Sequence, residues 1–309
     1  MNMEIKLLDL IDIELESSFL VLARNMGIST RAKTWGILIL GNEVGPILVD
    51  TGASDPQIME RLGMTGYVSE EQELEKQLAR YGLEIGDIRY ILHTHLHIDH
   101  AGQDARFPLT TTVVVNRREL EHSISGLMGE QYPAEYVKHL VDRLHTPGAL
   151  RLLDLELSGP DEIFPGIVCE AAGGHTEGSM NIVVETAEGK VCICGDVIYD
   201  IQNQIVDPIW QVLDYEPQTT GNHTMRKREE KAAIKKALNS GEFVVPIHDY
   251  PARVRSGRIV ARLGDAIPGP ETSVDHRTTG ETGQMGLGGL TPHAPDDESR
   301  TPVAEPVAP

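Results

Sequence analysis

Four of the chain's twelve histidines fall within eight residues, His93-Thr94-His95-Leu96-His97-Ile98-Asp99-His100. A chain of this composition would produce H-x-H-x-D-H by chance in roughly one sequence in a thousand. The segment follows 88–92, an apolar run that predicts a strand. Its polar residues are therefore expected on the loop at that strand's end, where side chains at i, i+2, i+4 and i+5 converge on a small volume. Neutral imidazole and carboxylate are the ligands that borderline divalent ions such as zinc prefer. Surface histidines would have no reason to crowd beside an aspartate, so the cluster predicts a metal site.

Four ligands from one loop cannot easily surround two ions, so others are sought elsewhere. His175 lies in the glycine-rich run Ala172-Gly173-Gly174-His175-Thr176-Glu177-Gly178-Ser179. Asp196 follows Cys194-Gly195 directly, and His248 closes the apolar run 244–247. Any one of these alone reads as readily as a structural residue; together they supply the missing ligands. His93 is either a partner of a ligand or a packed strand histidine. Asp50, in Asp50-Thr51-Gly52, either orients a metal-bound imidazole or caps the adjacent turn.

Around these residues, apolar runs predict strands at 35–40, 47–49, 88–92, 113–115, 181–185, 191–194 and 243–247. A helix is expected from Ser69, with Gln72 completing a capping box and Leu74, Leu78 and Tyr81 at helical spacing, to a stop at Gly82. Residues 117–145 read as helical with a break or start at Pro133, and 226–239 as a helix with Ala233, Ile234, Ala237 and Leu238 on one side. This pattern alone supports a mixed α and β domain over 1–268. Residues 270–309 hold six prolines, seven acids, two bases and no Phe, Trp or Tyr. A segment so poor in apolar surface cannot offset its ordering entropy, so 269–309 is expected to be a disordered, low-complexity tail.

Charge narrows the partners. Acids outnumber bases 47 to 27, a net −20, which repels phosphate backbones and anionic membranes. Nucleic acid and membrane surfaces are thus excluded as partners, and no apolar stretch approaches the 18 or so residues of a membrane helix. Cys169, Cys192 and Cys194 form an odd set without metal-type spacing, and Cys192 and Cys194 would share one strand face as buried thiols. With an acidic N-terminus unlike a signal peptide, a reducing cytoplasm is expected.

The order and spacing of HTHLHIDHAG, GGHTEG, GDVIY and PIHD resemble the metallo-β-lactamase superfamily over about 35–250, most nearly the N-acyl-homoserine lactone hydrolases, the quorum-quenching lactonases. The resemblance implies an α+β fold, a four-layer αβ/βα sandwich with two metals at one edge of the facing sheets. It implies that His95, His97 and His175 bind one divalent ion, that Asp99, His100 and His248 bind a second, and that Asp196 bridges them, with zinc the expected metal. Tyr199, three residues after that aspartate, matches the lactonase tyrosine whose hydroxyl meets the substrate carbonyl. The implied reaction is attack of a metal-held hydroxide on a lactone carbonyl, with Asp99 as proton shuttle. The substrate is a small lactone or ester, and a homodimer is compatible.

The chain departs from many lactonases in AGQ after His100, where AGG is common, and in GGH before His175, where PGH is usual. Glyoxalase II-type thioesterases share the ligand set and rely on a basic C-terminal segment, for which Arg253, Arg255, Arg258 and Arg262 offer some charge. Persulfide dioxygenases use one iron on a subset of the ligands; flavodiiron enzymes place a glutamate where His97 stands. Met26 and Phe107 could line a pocket or belong to the core. His122, His139, His145 and His223 read as surface residues.

Overall fold

The computed structural model describes residues 3–208, 216–222 and 226–264. Among them, period-two alternation builds two seven-stranded sheets. Across the first run β4 (Thr65–Tyr67), β1 (Glu4–Glu16), β2 (Ser29–Leu40), β3 (Ile47–Val49), β5 (Tyr90–Leu92), β6 (Thr112–Asn116) and β7 (Leu150–Leu153). Across the second run β14 (Arg258–Arg262), β13 (Ala252–Arg255), β12 (Phe243–Pro246), β11 (Gly189–Gly195), β10 (Met180–Thr186), β9 (Ile167–Ala171) and β8 (Asp161–Phe164).

Alternate residues of each strand serve different layers. Ile37, Ile39, Val49, Leu92 and Val114 face Ile182, Val184, Val191, Ile193 and Val245 between the sheets. Their neighbours Leu38, Leu48, Ile91, Val113 and Val115 point the other way. There they meet α2 (Leu74–Ala79), α3 (Arg117–Ser123) and α4 (Ala134–Leu144) through Leu74, Leu78, Leu120, Tyr136 and Leu140. On the far face of the second sheet, Cys192, Cys194 and Val244 pack against Ala233, Ile234 and Ala237 of α6 (Lys227–Ala237). The result is helices, sheet, sheet, helix: the expected four-layer α+β sandwich.

The expected strands are present, within a residue or two at most ends. Residue 88 instead closes a 3-10 turn at Ile85–Asp87, so β5 starts at Tyr90. The Ser69 capping box forms, but the helix it begins is split into a 3-10 turn at Glu70–Gln72 and α2, which ends at Ala79; Tyr81 lies beyond it, partly exposed. Pro133 is the N-cap of α4. All three cysteines are buried and free. Among the described residues no helix is long and apolar enough to cross a membrane. The tail expected at 269–309, the domain boundary near 268 and His223 lie outside the described residues.

What matters for the site is where strands stop. β3, β5, β6 and β7 run parallel, as do β11 and β12. In such sheets the loops after the carboxyl ends of strands gather side chains along one edge. Asp50 follows β3, the 93–100 loop follows β5, Asp196 follows β11, and His248 lies just after β12; His175 is in the turn joining β9 to β10. Two backbone hydrogen bonds tie the sheets together there, Met180 N–H to the Thr94 carbonyl and Trp35 N–H to the Ile247 carbonyl, both 2.9 Å.

Candidate metal centre

One atom each from His95, His97, His175 and Asp196 lies within 4.8 Å of the others, and the same holds for Asp99, His100 and His248. In the first group, Nε2 of His95, Nδ1 of His97 and Nε2 of His175 form a triangle with sides of 3.0–3.1 Å. Asp196 Oδ2 stands off it, 3.8 Å from His95 Nε2 and 3.6 Å from His175 Nε2. In the second group, His100 Nε2 is 3.6 Å from Asp99 Oδ1, and His248 Nε2 is 3.5 Å from Asp99 Oδ2. Asp196 reaches this group too: Oδ1 is 3.3 Å from His100 Nε2 and Oδ2 is 3.2 Å from His248 Nε2. One carboxylate thus touches both groups.

The far ring nitrogens fix the tautomers. His248 Nδ1–H donates to the Lys33 carbonyl at 2.7 Å, and His100 Nδ1–H to Asp50 Oδ2 at 2.9 Å, so each turns its Nε2 inward as the atom a cation would take. The Thr94 hydroxyl gives its proton to Asp50 Oδ2 at 2.7 Å and so accepts from His95 Nδ1–H at 3.1 Å. This is the outer arrangement that orients metal-binding imidazoles. Asp50 also accepts from Thr94 N–H at 2.9 Å and from His93 Nδ1–H at 3.2 Å. His93 is fully buried, with Nε2–H donating to Asp104 Oδ2 at 2.8 Å. Of the two readings open for each, Asp50 orients His100, and His93 is a packed histidine that also braces Asp50.

The charges suit cations. Burial and neighbouring imidazoles hold His95 and His97 well below the usual histidine range, and burial brings His175 down to about 4. These rings are neutral near pH 7, as ligands must be. Although burial opposes it, Asp196 and Asp99 hold His248 above the usual histidine range and His100 well above it, and these two rings in turn keep Asp196 well below the ordinary carboxylate range. Two inward atoms, His100 Nε2 and Asp196 Oδ1, are buried without a hydrogen-bond partner. Three convergent imidazole nitrogens cannot satisfy one another by hydrogen bonds alone, whereas a divalent cation would accept a lone pair from each. The donor set therefore fits divalent metal.

Tyr199 is 5% exposed, its ring stacked on His248 with 5.0 Å between centroids and 6° between planes. Burial and the charge of Asp196 push its hydroxyl well above the usual tyrosine range, so it stays protonated and can donate. A pocket borders the centre, lined on its polar side by His97, Asp99, Asp196, Tyr199 and His248. Apolar residues line it as well, Ile13, Leu15, Leu20, Met59 and Met64 among them.

Glu119 was not legible as a site residue, since an acid in a helix ordinarily faces water. It is wholly buried, its carboxylate accepting from Leu96 N–H at 2.9 Å, from the Tyr132 hydroxyl at 3.0 Å and from the Thr176 hydroxyl at 2.5 Å. It thereby clamps the loop carrying His95 and His97 to the turn carrying His175. Gly178 lets that turn approach α3: a Cβ there would lie 1.9 Å from Glu119 N. The expectation of a surface His122 is corrected: it is buried, on the same inward side of α3 as Glu119, with its ring 5.7 Å from that of Tyr132. His139 is half-buried, accepting from Arg143 Nε, and His145 is exposed. Phe107 belongs to the core, whereas Met26 is 72% exposed and outside the pocket lining. None of Arg253, Arg255, Arg258 and Arg262 lines the pocket, and Arg262 pairs with Asp249.

The sequence profile of the metallo-beta-lactamase superfamily matches residues 34–248. An N-acyl homoserine lactonase from a Bacillus species is 32% identical over 176 residues, which are 53% of this chain and 64% of that protein, so under two thirds of the relative's length is matched. Among solved structures, a Bacillus thuringiensis AiiA variant with N-decanoyl-L-homoserine bound at its active site is 24% identical at a TM-score of 0.59, covering 76% of this chain and 88% of that one. AidC, a dizinc quorum-quenching lactonase in complex with its product, is 16% identical at a TM-score of 0.56, covering 83% of this chain and 92% of that one. At these identities the two structures speak for the fold alone.

Proposed function

The chain belongs to the metallo-β-lactamase superfamily, and from that premise we propose that it is a metal-dependent hydrolase that opens a lactone ring, that of an N-acyl-homoserine lactone or a related small lactone. The observation that carries the reading is the convergence of His95, His97, His175, Asp99, His100 and His248 from distant segments around the one carboxylate of Asp196. In this proposal His95, His97 and His175 hold one divalent ion, Asp99, His100 and His248 hold the other, and Asp196 serves both. Imidazole and carboxylate donors in this proportion favour zinc.

Two ions held by these residues would supply Lewis acidity and lower the pKa of water toward neutrality. The residues do the rest. Tyr199, stacked and protonated, donates to the carbonyl oxygen as it gains charge, the position where a fixed donor stabilises most. Asp99, among the residues lining the pocket, takes the proton that the attacking water loses and passes it to the departing alkoxide oxygen. The apolar lining takes the substrate's hydrocarbon part and keeps bulk water out of the rest of the pocket. A lactone suits this pocket better than a glutathione thioester because Arg253, Arg255, Arg258 and Arg262, the cations available to an anionic peptide, do not line it.

A side-by-side panel of an acyl-homoserine lactone, a plain γ-lactone, a glutathione thioester and a β-lactam tests the reading. Lactone turnover is expected to exceed the other classes by at least tenfold in kcat/KM. Faster thioester or β-lactam hydrolysis, or one iron per chain with oxygen consumption, would contradict it.

A further inference from the structure

Buried polar atoms without partners are rare and costly, so each one at a site asks what satisfies it. Among the described residues, four such atoms belong to side chains in or beside the pocket: His100 Nε2, Asp196 Oδ1, His97 Nε2 and Gln131 Oε1. The first two face the ligand groups, and cations there would satisfy them. The other two would remain. His97 turns Nδ1 toward His95 and His175, so its Nε2 carries the proton and is a donor. Gln131 Oε1 is an acceptor, on a side chain only 6% exposed that lines the same pocket. Gln131 sits between α3 and α4, directly before Tyr132, whose ring lies 4.9 Å from that of His97.

One donor and one acceptor in a pocket otherwise lined mainly by apolar residues match a group with one N–H and one C=O attached to a hydrocarbon chain. We propose that Gln131 is a specificity-determining residue whose carboxamide oxygen accepts a hydrogen bond from the N–H of a secondary amide in the substrate, selecting N-acylated lactones over plain alkyl lactones. This rests on the lactone reading above and adds the amide to it. Leu at 131 cannot accept that hydrogen bond and the thioether of Met accepts only weakly, while both keep a side chain of similar bulk in the pocket lining.

The test compares the metal-loaded wild type with Gln131→Met, and with Gln131→Leu as a second replacement, on two substrates. N-hexanoyl-homoserine lactone carries the amide; α-heptyl-γ-butyrolactone keeps the ring and chain length without it. The expected result is a KM about tenfold higher for the amide substrate only, the worth of one hydrogen bond, with kcat, metal content and melting temperature near wild type. An equal loss on both substrates, or no loss on the amide one, overturns the assignment. A wild type that opens neither lactone overturns the proposed function instead. In that event calorimetric binding of N-hexanoyl-homoserine still reads the contact: about tenfold weaker binding by the variants supports it, and equal affinity or no binding by the wild type refutes it.

Discussion

Asp50 adopts φ +57°, a left-handed conformation few residues other than glycine accept. That strain is held by the hydrogen bonds its carboxylate accepts from Thr94, His93 and His100. Asp50→Asn keeps the shape but sets an N–H against at least one of those donors. It should weaken metal binding roughly 10- to 100-fold, the usual cost of losing an orienting partner, read as the chelator concentration that strips half the metal. Tyr199 separates the other way. Tyr199→Phe should retain full metal content and lower kcat by roughly 10²-fold, the scale of one lost oxyanion donor; an unchanged kcat would remove Tyr199 from the reaction. The residue types carried most of this in advance. The 93–100 cluster, His175, Asp196 and His248 were visible because metal chemistry restricts ligands to a few side chains. Gln131, Glu119 and Asp104 were not, because a glutamine or an acid on a helix has the same letter whether it faces water or a buried loop.

At the scale of elements, α6 does more than cover the second sheet. Glu230 on its inner side accepts a hydrogen bond from Thr220 N–H, tethering the segment that carries the pocket residue Asn222. Burial raises the Glu230 carboxyl from 4.5 to about 7. The fold therefore prefers it protonated: that stability is complete below about pH 4.5 and lost as pH rises through about 7. Glu230→Gln keeps an acceptor for Thr220 and removes the titration. Between pH 5 and 8 the wild type should lose on the order of 2–3 kcal/mol relative to the variant, measurable by urea unfolding at both pH values; parallel curves would refute the linkage. Strands whose residues alternate cleanly or run apolar on both faces, such as β2, β3, β6 and β12, could be read from sequence. β1 was less legible, because its charged residues interrupt the apolar pattern and a bulge between Asp9 and Ile11 breaks the period. The helix begun at Ser69 is broken at Glu73, whose ψ of 134° leaves the helical region, a turn that residue spacing does not record.

In the whole molecule, two sheets stack so that strand ends from both halves of the chain meet at one edge, and the site exists only because both sheets are in place. The chain carries a net charge of −20, and its centre sets two carboxylates among five imidazoles, a donor set suited to cations. The fold class was legible from motif order, since the same loops recur at the same strand ends; the pairing of strands was not, because register is set by contacts far apart in sequence. Elemental analysis of the purified chain tests the account most directly. It predicts two divalent ions per chain in the wild type and about one in His248→Ala. A single ion in the wild type, or a His248→Ala variant that still holds two, would contradict it.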